Sequence, residues 1–313
     1  MSSHVPPDVS VVVANYAGDD VLGDCLRSVS EQTLVPVETL VVDAGHSPRG
    51  REIAEGHGAT LLPRPNRGLG YLYNEGTRAA RAELVLLLNN DVALEPRCLG
   101  LLVDELVARP TCFAADPRQV SWDGATLVHG RASLRRGPLL RQPLPGFRLD
   151  LKGHADVPVV TLCANGGAML ARRELLLELG GFDETMFMDF EDLDLCWRAW
   201  SRGWSSTYVP AATVRHRVGA ATKRAGVLRP RLRSSHHNLI RFALKCFPAR
   251  DAALVVLGEL VRLPRHPTVI APALARIVLE LPEIVGERRR IASARALMRW
   301  MLAGQPGAQG MQA

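Results

Sequence analysis

Leu84-Val85-Leu86-Leu87-Leu88 runs without a polar interruption and then stops at Asn89-Asn90-Asp91. A strand with one wet face alternates apolar and polar residues. Unbroken apolar runs of this length belong to strands covered on both faces, as in a parallel sheet sandwiched by helices. In open α/β sheets ligands bind in the crevice beyond the carboxyl ends of the strands, so the polar triplet sits where chemistry is expected. A carboxylate held there can ligate a hard cation such as Mg²⁺ or Mn²⁺, and the cation can hold a diphosphate. The same aspartate can instead cap the next helix, because Glu95-Pro96 opens an apolar-periodic segment.

The flanking chain supports the sheet. Val9 to Ala14 is a β-branched run ending in the polar loop Asn15-Tyr16-Ala17-Gly18-Asp19, after which Val21, Leu22, Cys25, Leu26 and Val29 recur at helical spacing. Thr39 to Asp43 is a second strand ending in an acid, and a weaker helix over Glu52 to Glu55 leads to a third strand over Thr60 to Leu62. Alternation of this kind predicts a parallel, doubly wound sheet, with Asn15, Asp43 and Asn66 along one edge. The segment Asn66-Arg67-Gly68-Leu69-Gly70-Tyr71-Leu72-Tyr73-Asn74 has Tyr73 where a dinucleotide fingerprint needs its third glycine, and it follows the third strand rather than the first. Its glycines are expected to admit close approach of a ligand, with Asn74 facing the crevice; a plain glycine-rich turn is the alternative.

Beyond Asp91, the pattern predicts a helix over Glu95 to Ala108, a strand over Thr111 to Ala115, and a long aperiodic connection over residues 117–158. Leu162 to Leu170 reads as one strand with close backbone packing, and Arg172 to Leu179 as a helix stopped by Gly180-Gly181. In Phe187 to Trp200, Leu193, Cys196, Trp197 and Trp200 share a helical face while the amino-terminal turn carries Glu191, Asp192 and Asp194. Acids at a helix start are often only structural, because the helix dipole favours them. Asp192, with Glu191 beside it, is also placed to serve as a carboxylate general base toward a substrate hydroxyl. After a last strand over Ser205 to Val209, His216 can ligate the same metal as Asp91, contact a phosphate, or be merely structural.

Charge is divided unevenly. Residues 217–313 hold 17 Lys/Arg against 5 Asp/Glu, whereas residues 1–216 hold 21 against 27. A basic tail on an acidic body points to an anionic surface. Nucleic acid is disfavoured, because the tail lacks interleaved aromatics or a recognisable module. Leu239, Ile240, Ala243 and Phe247 lie at helical spacing with Arg241 and Lys245 off that face, and two further apolar segments follow. These segments are too interrupted to span a membrane; they suit helices at the membrane surface, packed on the body, or across a homodimer. Six cysteines without a CxxC pair read as reduced core residues of a cytosolic protein, and Met1 to Asp8 lacks a signal-peptide core.

Taken in order, VSVVVANY, CLRSVSEQT, ETLVVD, NRGLGYLYNEG, LVLLLNND, GGFDE, EDLDLCWRAW and VRH resemble the family-2 inverting glycosyltransferases, and the rhamnosyltransferase-like bacterial branch most of all. The resemblance covers roughly residues 8–220. It implies an α/β fold of GT-A type: a Rossmann-like, mostly parallel sheet covered by helices, as a catalytic domain over 1–220, with a basic C-terminal helical appendage over 221–313. It implies transfer of a sugar from a nucleotide-diphosphate donor to a glycan or polyprenyl-linked glycan, peripherally at the inner face of the cell membrane. Asp91 would bind Mg²⁺ or Mn²⁺ and His216 would match a late histidine of the family. Asp192 would deprotonate the acceptor. Ala14, Asn15, Tyr16, Asp43, Asn66, Gly68, Asn74 and Asn90 would line the donor site. The chain departs from the family pattern at Ala17 and at Ala44-Gly45-His46-Ser47. A sugar-1-phosphate nucleotidyltransferase would want a glycine-rich basic loop after the first strand, which Asn15 to Asp19 is not. A non-catalytic scaffold would not need both Asp91 and Asp192.

Overall fold

A computed structural model describes residues 7–136, 147–152, 156–218 and 228–291. Strands β1 (Val9–Asn15), β2 (Glu38–Asp43), β3 (Thr60–Pro63) and β4 (Leu84–Asn89) are parallel, in the order β4-β1-β2-β3. Helices α1 (Asp19–Ser30), α2 (Pro48–Gly56) and α3 (Leu69–Ala79) make the connections. The unbroken apolar run in β4 now has its physical reason. Leu84, Leu86 and Leu88 pack in one core with Leu22, Cys25 and Leu26 of α1, while Val85 and Leu87 pack in the other with Leu72 and Tyr73 of α3. Both faces of the strand are therefore dry. The register pairs Asn15 with Asp43 and Ala14 with Asn89, so the strands end in line and their polar residues share one edge.

The sheet continues through β5 (Val92–Leu94), α4 (Cys98–Ala108), β6 (Cys112–Ser121), β7 (Leu127–His129), β8 (Arg131–Arg136), β9 (Phe147–Lys152), β10 (Val159–Thr161), β11 (Ala168–Arg172), α5 (Arg173–Glu178), α6 (Glu191–Trp200) and β12 (Ser205–His216). Strand β11 inserts antiparallel between β4 and β6, and β12 runs parallel to β6. Strands β8 and β9 pair antiparallel in a separate two-stranded sheet. The architecture is a mixed, mostly parallel sheet flanked by helices, as expected.

Several local expectations change, and the last strand runs on past Val209 to include His216. The aperiodic stretch after residue 117 contains the end of β6, then β7, β8 and β9, with residues 137–146 and 153–155 outside the described ones. The run Leu162 to Leu170 is not one strand: Leu162–Gly167 is a loop between β10 and β11, and its small residues serve a turn rather than sheet packing. The helix expected from Glu95 begins at Cys98.

The C-terminal helices are α7 (Leu228–Cys246), α8 (Ala249–Arg262) and α9 (Pro267–Arg290). The expected domain boundary at 220/221 lies outside the described residues, and the chain on its two sides shares a core. Leu239, Phe242, Ala243 and Phe247 pack in the same cluster as Trp197 and Trp200 of α6. Phe242 meets Trp197 edge-on at 5.7 Å between ring centres, the geometry that aromatic quadrupoles favour. Arg241 and Lys245, which lie off the apolar face, are nevertheless buried. Arg241 bonds Asp183 at 2.8 Å and Glu283 at 2.8 Å, and Lys245 lies 2.6 Å from Asp183 and 2.9 Å from Asp194. A buried cation is tolerated only with such partners, and the Lys245 and Arg241 charges hold the Asp183 carboxyl below the usual range despite its burial. Two cations of the basic tail are thus neutralised internally. All six cysteines are free and buried. Among the described residues no helix is long and apolar enough to cross a membrane.

Candidate active site

The carboxyl ends of β1 and β4, the loop before β11 and the start of α6 enclose a cavity of about 590 Å³. Ala14, Tyr16, Asn66, Gly68, Asn90 and Asp91 line it from the sheet edge and the α3 side. Glu191, Asp192 and His216 line it from opposite elements.

Asp91 and His216 are brought together by sheet pairing. Strand β12 lies antiparallel to β5 with His216 opposite Val92, and His216 Nε2 is 3.3 Å from Asp91 Oδ1. His216 Nδ1 is 3.0 Å from Gln119 Oε1, and Gln119 Nε2 donates to Asn165 Oδ1 at 3.0 Å. An amide oxygen only accepts, so Nδ1 carries the proton. In the neutral ring, Nε2 then turns a lone pair toward a carboxylate oxygen, an opposition that a cation between them relieves. Metal-bound histidines commonly have their other nitrogen donating to such an acceptor. Among the described residues no third His, Cys, Asp or Glu joins the pair. The donor set therefore fits a divalent cation that takes its remaining ligands from phosphate oxygens and water.

Asp192 stands in the first turn of α6, after Asp189 and Phe190, both at positive φ (70° and 73°). Non-glycine residues avoid that region, so the turn must be held. Helix α7 holds it. Asn238 Nδ2 donates to the carbonyls of Met188 and Asp189 at 2.8 and 2.7 Å, Arg231 grips the Asp189 carboxylate at 2.9 and 3.1 Å, and the Ser235 hydroxyl also bonds Asp189. Gly68 serves the same loop: at φ 104° it has no room for a side chain, because a Cβ would stand 2.5 Å from the Phe187 carbonyl oxygen. The close approach expected of this glycine is to the chain itself.

The two adjacent acids differ in their partners. Asp192 accepts from Gly166 N at 3.0 Å, Leu193 N at 2.7 Å and Asn165 Nδ2 at 3.4 Å. Glu191 Oε2 is buried with no hydrogen-bond partner. Burial pushes both carboxyls up, and the Asp192 charge pushes Glu191 further. Donors stabilise the anion, so negative charge resides on Asp192 and the proton on Glu191. Because the folded Glu191 keeps its proton to higher pH than the unfolded one, folding stability falls as pH rises above the unfolded glutamate range. Glu191→Gln, which mimics the protonated acid, should flatten that decline and raise the urea midpoint at pH 8 more than at pH 5. A parallel pH dependence in both proteins would contradict this charge assignment.

Other sequence candidates have different work. Asp43 accepts from Asn15 Nδ2, Gly45 N and His46 N, and Asn15 Oδ1 accepts from Asn90 Nδ2 at 2.6 Å. Both residues are buried behind the cavity wall, shaping the loops at the strand ends. Asn74 does not face the crevice: it bonds the backbone N–H and C=O of Phe182, closing the Gly180-Gly181 turn onto α3. Ala17, a departure from the family pattern, takes φ 50°, a region where asparagine is enriched among non-glycine residues and alanine is not. Sequence reasoning missed Gln119, Asn165, His129 and Arg231. The last three line the cavity; Asn165 lay in a run that reads as a strand, and no motif marked His129 or Arg231.

A model described as "Glycosyltransferase like family 2" matches residues 6–236. The N-acetylglucosaminyl-diphospho-decaprenol L-rhamnosyltransferase of Mycobacterium tuberculosis is 30% identical over 242 residues, covering 68% of this chain and 77% of that protein. Among solved structures, GalNAc-T7 with UDP, GalNAc and Mn²⁺ superposes with a TM-score of 0.67 at 15% identity, over 95% of this chain. The chain spans 57% of the length of that protein. The mannosyltransferase PcManGT of Pyrobaculum calidifontis, in complex with GDP-Man and Mn²⁺, superposes with a TM-score of 0.55 at 20% identity, over 95% of this chain and 84% of that one. At these identities the structural likeness concerns the fold.

Proposed function

The chain belongs to glycosyltransferase family 2 and has the GT-A fold, and from that premise we propose an inverting transfer of a sugar, rhamnosyl or another hexosyl, from a nucleoside-diphosphate donor to a hydroxyl of a lipid-linked glycan. The observation that carries the reading is the convergence on one cavity of the Asp91–His216 pair and Asp192. The lipid-linked acceptor is the class named for the mycobacterial relative, and the product would enter cell-surface polysaccharide.

Asp192 removes the acceptor proton. As the acceptor oxygen bonds the anomeric carbon, its O–H pair becomes the new C–O bond and the proton passes to Asp192. The old bond to the diphosphate breaks with its electron pair going to the phosphate oxygen. A single displacement of this kind inverts the anomeric configuration. Gly166 N, Leu193 N and Asn165 fix the Asp192 carboxylate before the acceptor arrives, so little reorganisation accompanies proton transfer. Asp91 and His216 would hold Mg²⁺ or Mn²⁺, which when bound supplies positive charge to the leaving diphosphate. Ala14, Tyr16, Asn66, Gly68 and Asn90 would form the donor wall.

The enzyme works peripherally at the inner membrane face in this reading. Its support is that Leu257 and Leu260 of α8 and Val278 and Leu279 of α9 are exposed, with Arg250, Arg265 and Arg289 exposed near the helix ends. Exposed apolar and cationic groups on neighbouring helices are the kind that an anionic lipid surface attracts. The test is a panel of nucleotide sugars with a polyprenyl-diphosphate-linked amino sugar in anionic vesicles, with Mg²⁺ or Mn²⁺. One donor should yield a product of inverted anomeric configuration by NMR, and the protein should sediment with the vesicles at low salt but not high salt. A retained configuration would overturn the mechanism, and salt-independent absence from the vesicle pellet would overturn the location.

A further inference from the structure

The pair His129–Asp116 belongs to none of the roles assigned so far. His129 is the last residue of β7, opposite Gln119 of β6. Its Nε2 lies 3.0 Å from Asp116 Oδ2, and Asp116 is wholly buried within β6. Asp116 Oδ1 accepts from Asn165 N at 3.1 Å, and the next backbone N–H, that of Gly166, donates to Asp192 at 3.0 Å. Two consecutive amides thus tie the two carboxylates to one loop, and His129 and Asp192 both line the cavity.

The local charge makes a cation there consequential. Glu191 and Asp192 come from α6, Asp189 from the loop before it, and Asp116 from β6. Arg231 of α7 is committed to Asp189. The charged groups acting on His129 are Asp116 and Asp192; those acting on Asp192 include His129 and Asp189. Of the charges acting on Asp192, that of His129 favours the anion and that of Asp189 opposes it, so a neutral His129 would leave Asp192 readier to take up a proton and less able to act as a base.

We infer that His129, oriented and kept protonated by Asp116, is a positioning residue that holds Asp192 as the anion able to accept the acceptor's proton. The inference rests on the reading of Asp192 as the base. Consistent with the geometry, the Asp116 and Asp192 charges raise the His129 imidazole above its ordinary range although burial opposes this, and the His129 charge works against the burial that raises Asp192. No proton passes through His129 in the reaction; its role is the field it sets.

The test is the pH profile of kcat for wild type, His129→Gln and Asp116→Asn, together with the nitrogen NMR signals of the wild-type histidines. Removing the cation raises the Asp192 pKa, so the acid limb of the His129→Gln profile should move to higher pH. The expected effect is about a tenfold loss of kcat on the acid side and little change on the alkaline side, with donor KM unchanged. Asp116→Asn should move the limb in the same direction by less. A structural role alone would lower kcat evenly across pH. A His129→Gln profile that superposes on wild type or falls evenly overturns the inference, as does a wild-type His129 ring that is singly protonated at pH 7, a measurement that stands even where a variant fails to fold. Failure of the underlying base reading is distinguishable, because it requires Asp192→Asn itself to retain transfer.

Discussion

Asp192→Asn should fold, bind the donor nucleotide as wild type does, and transfer sugar about 10²–10⁴-fold more slowly, the range typical of a lost general base. The substitution preserves shape but not hydrogen-bond sense. Asp192 now accepts from Gly166 N and Leu193 N through different oxygens, and an amide can accept through only one of its two heads. One backbone N–H is left without a partner, at a cost of about 1–3 kcal/mol. Relief of a buried charge offsets part of that. A modest fall in melting temperature with intact nucleotide binding is therefore expected beside the catalytic loss. The result that would sink the assignment is near-wild-type transfer by the folded variant, which would pass the role to Glu191 or Asp194. Asp194 is a poor substitute, since it is wholly buried and committed to Lys245 and Arg198.

Asp91→Ala should lower transfer at least about 10³-fold, corresponding to the several kcal/mol that a metal ion contributes to charge stabilisation in such a displacement. The same variant should bind a nucleoside diphosphate more weakly in Mn²⁺ or Mg²⁺, and should no longer distinguish the presence of metal from its absence. Its fold should survive, because among the described residues the Asp91 side chain makes no hydrogen bond or ion pair beyond its approach to His216. Titration calorimetry with the diphosphate, with and without metal, separates lost metal binding from lost chemistry. Full wild-type activity in excess chelator would remove the metal from the mechanism.

The half of the sheet that carries Asp91 was legible because its signals are local. Apolar runs, their polar stops and the helical spacing between them fix β1 to β4 within a few residues. The His129–Asp116 pair was not legible. Pro117 interrupts its strand, β7 is three residues long, and the β6–β12 pairing shifts register between Val209 and Thr213, so no period marks the segment. The burial of Arg241 and Lys245 was not legible for a related reason. A cation off an apolar stripe reads as solvent-facing unless its partners are known, and theirs come from the Asp183 turn and from α9, far away in sequence. Asn74 likewise looked like a ligand group, while its partner Phe182 lies 108 residues on.

The clamp of α7 on the Met188–Phe190 turn bears on the order in which the chain is made. A ribosome that has released residues up to Val218 has already produced both carboxylates and the whole sheet. Arg231, Ser235 and Asn238, which hold Asp189 and Phe190 in their unfavoured backbone state, have not yet emerged. The nascent protein therefore carries this turn without the bonds that α7 supplies to it. We expect the turn that leads into Asp192, the base of the proposed mechanism, to take its final form only when α7 (Leu228–Cys246) docks on it, so that synthesis of α7 would act as a maturation step.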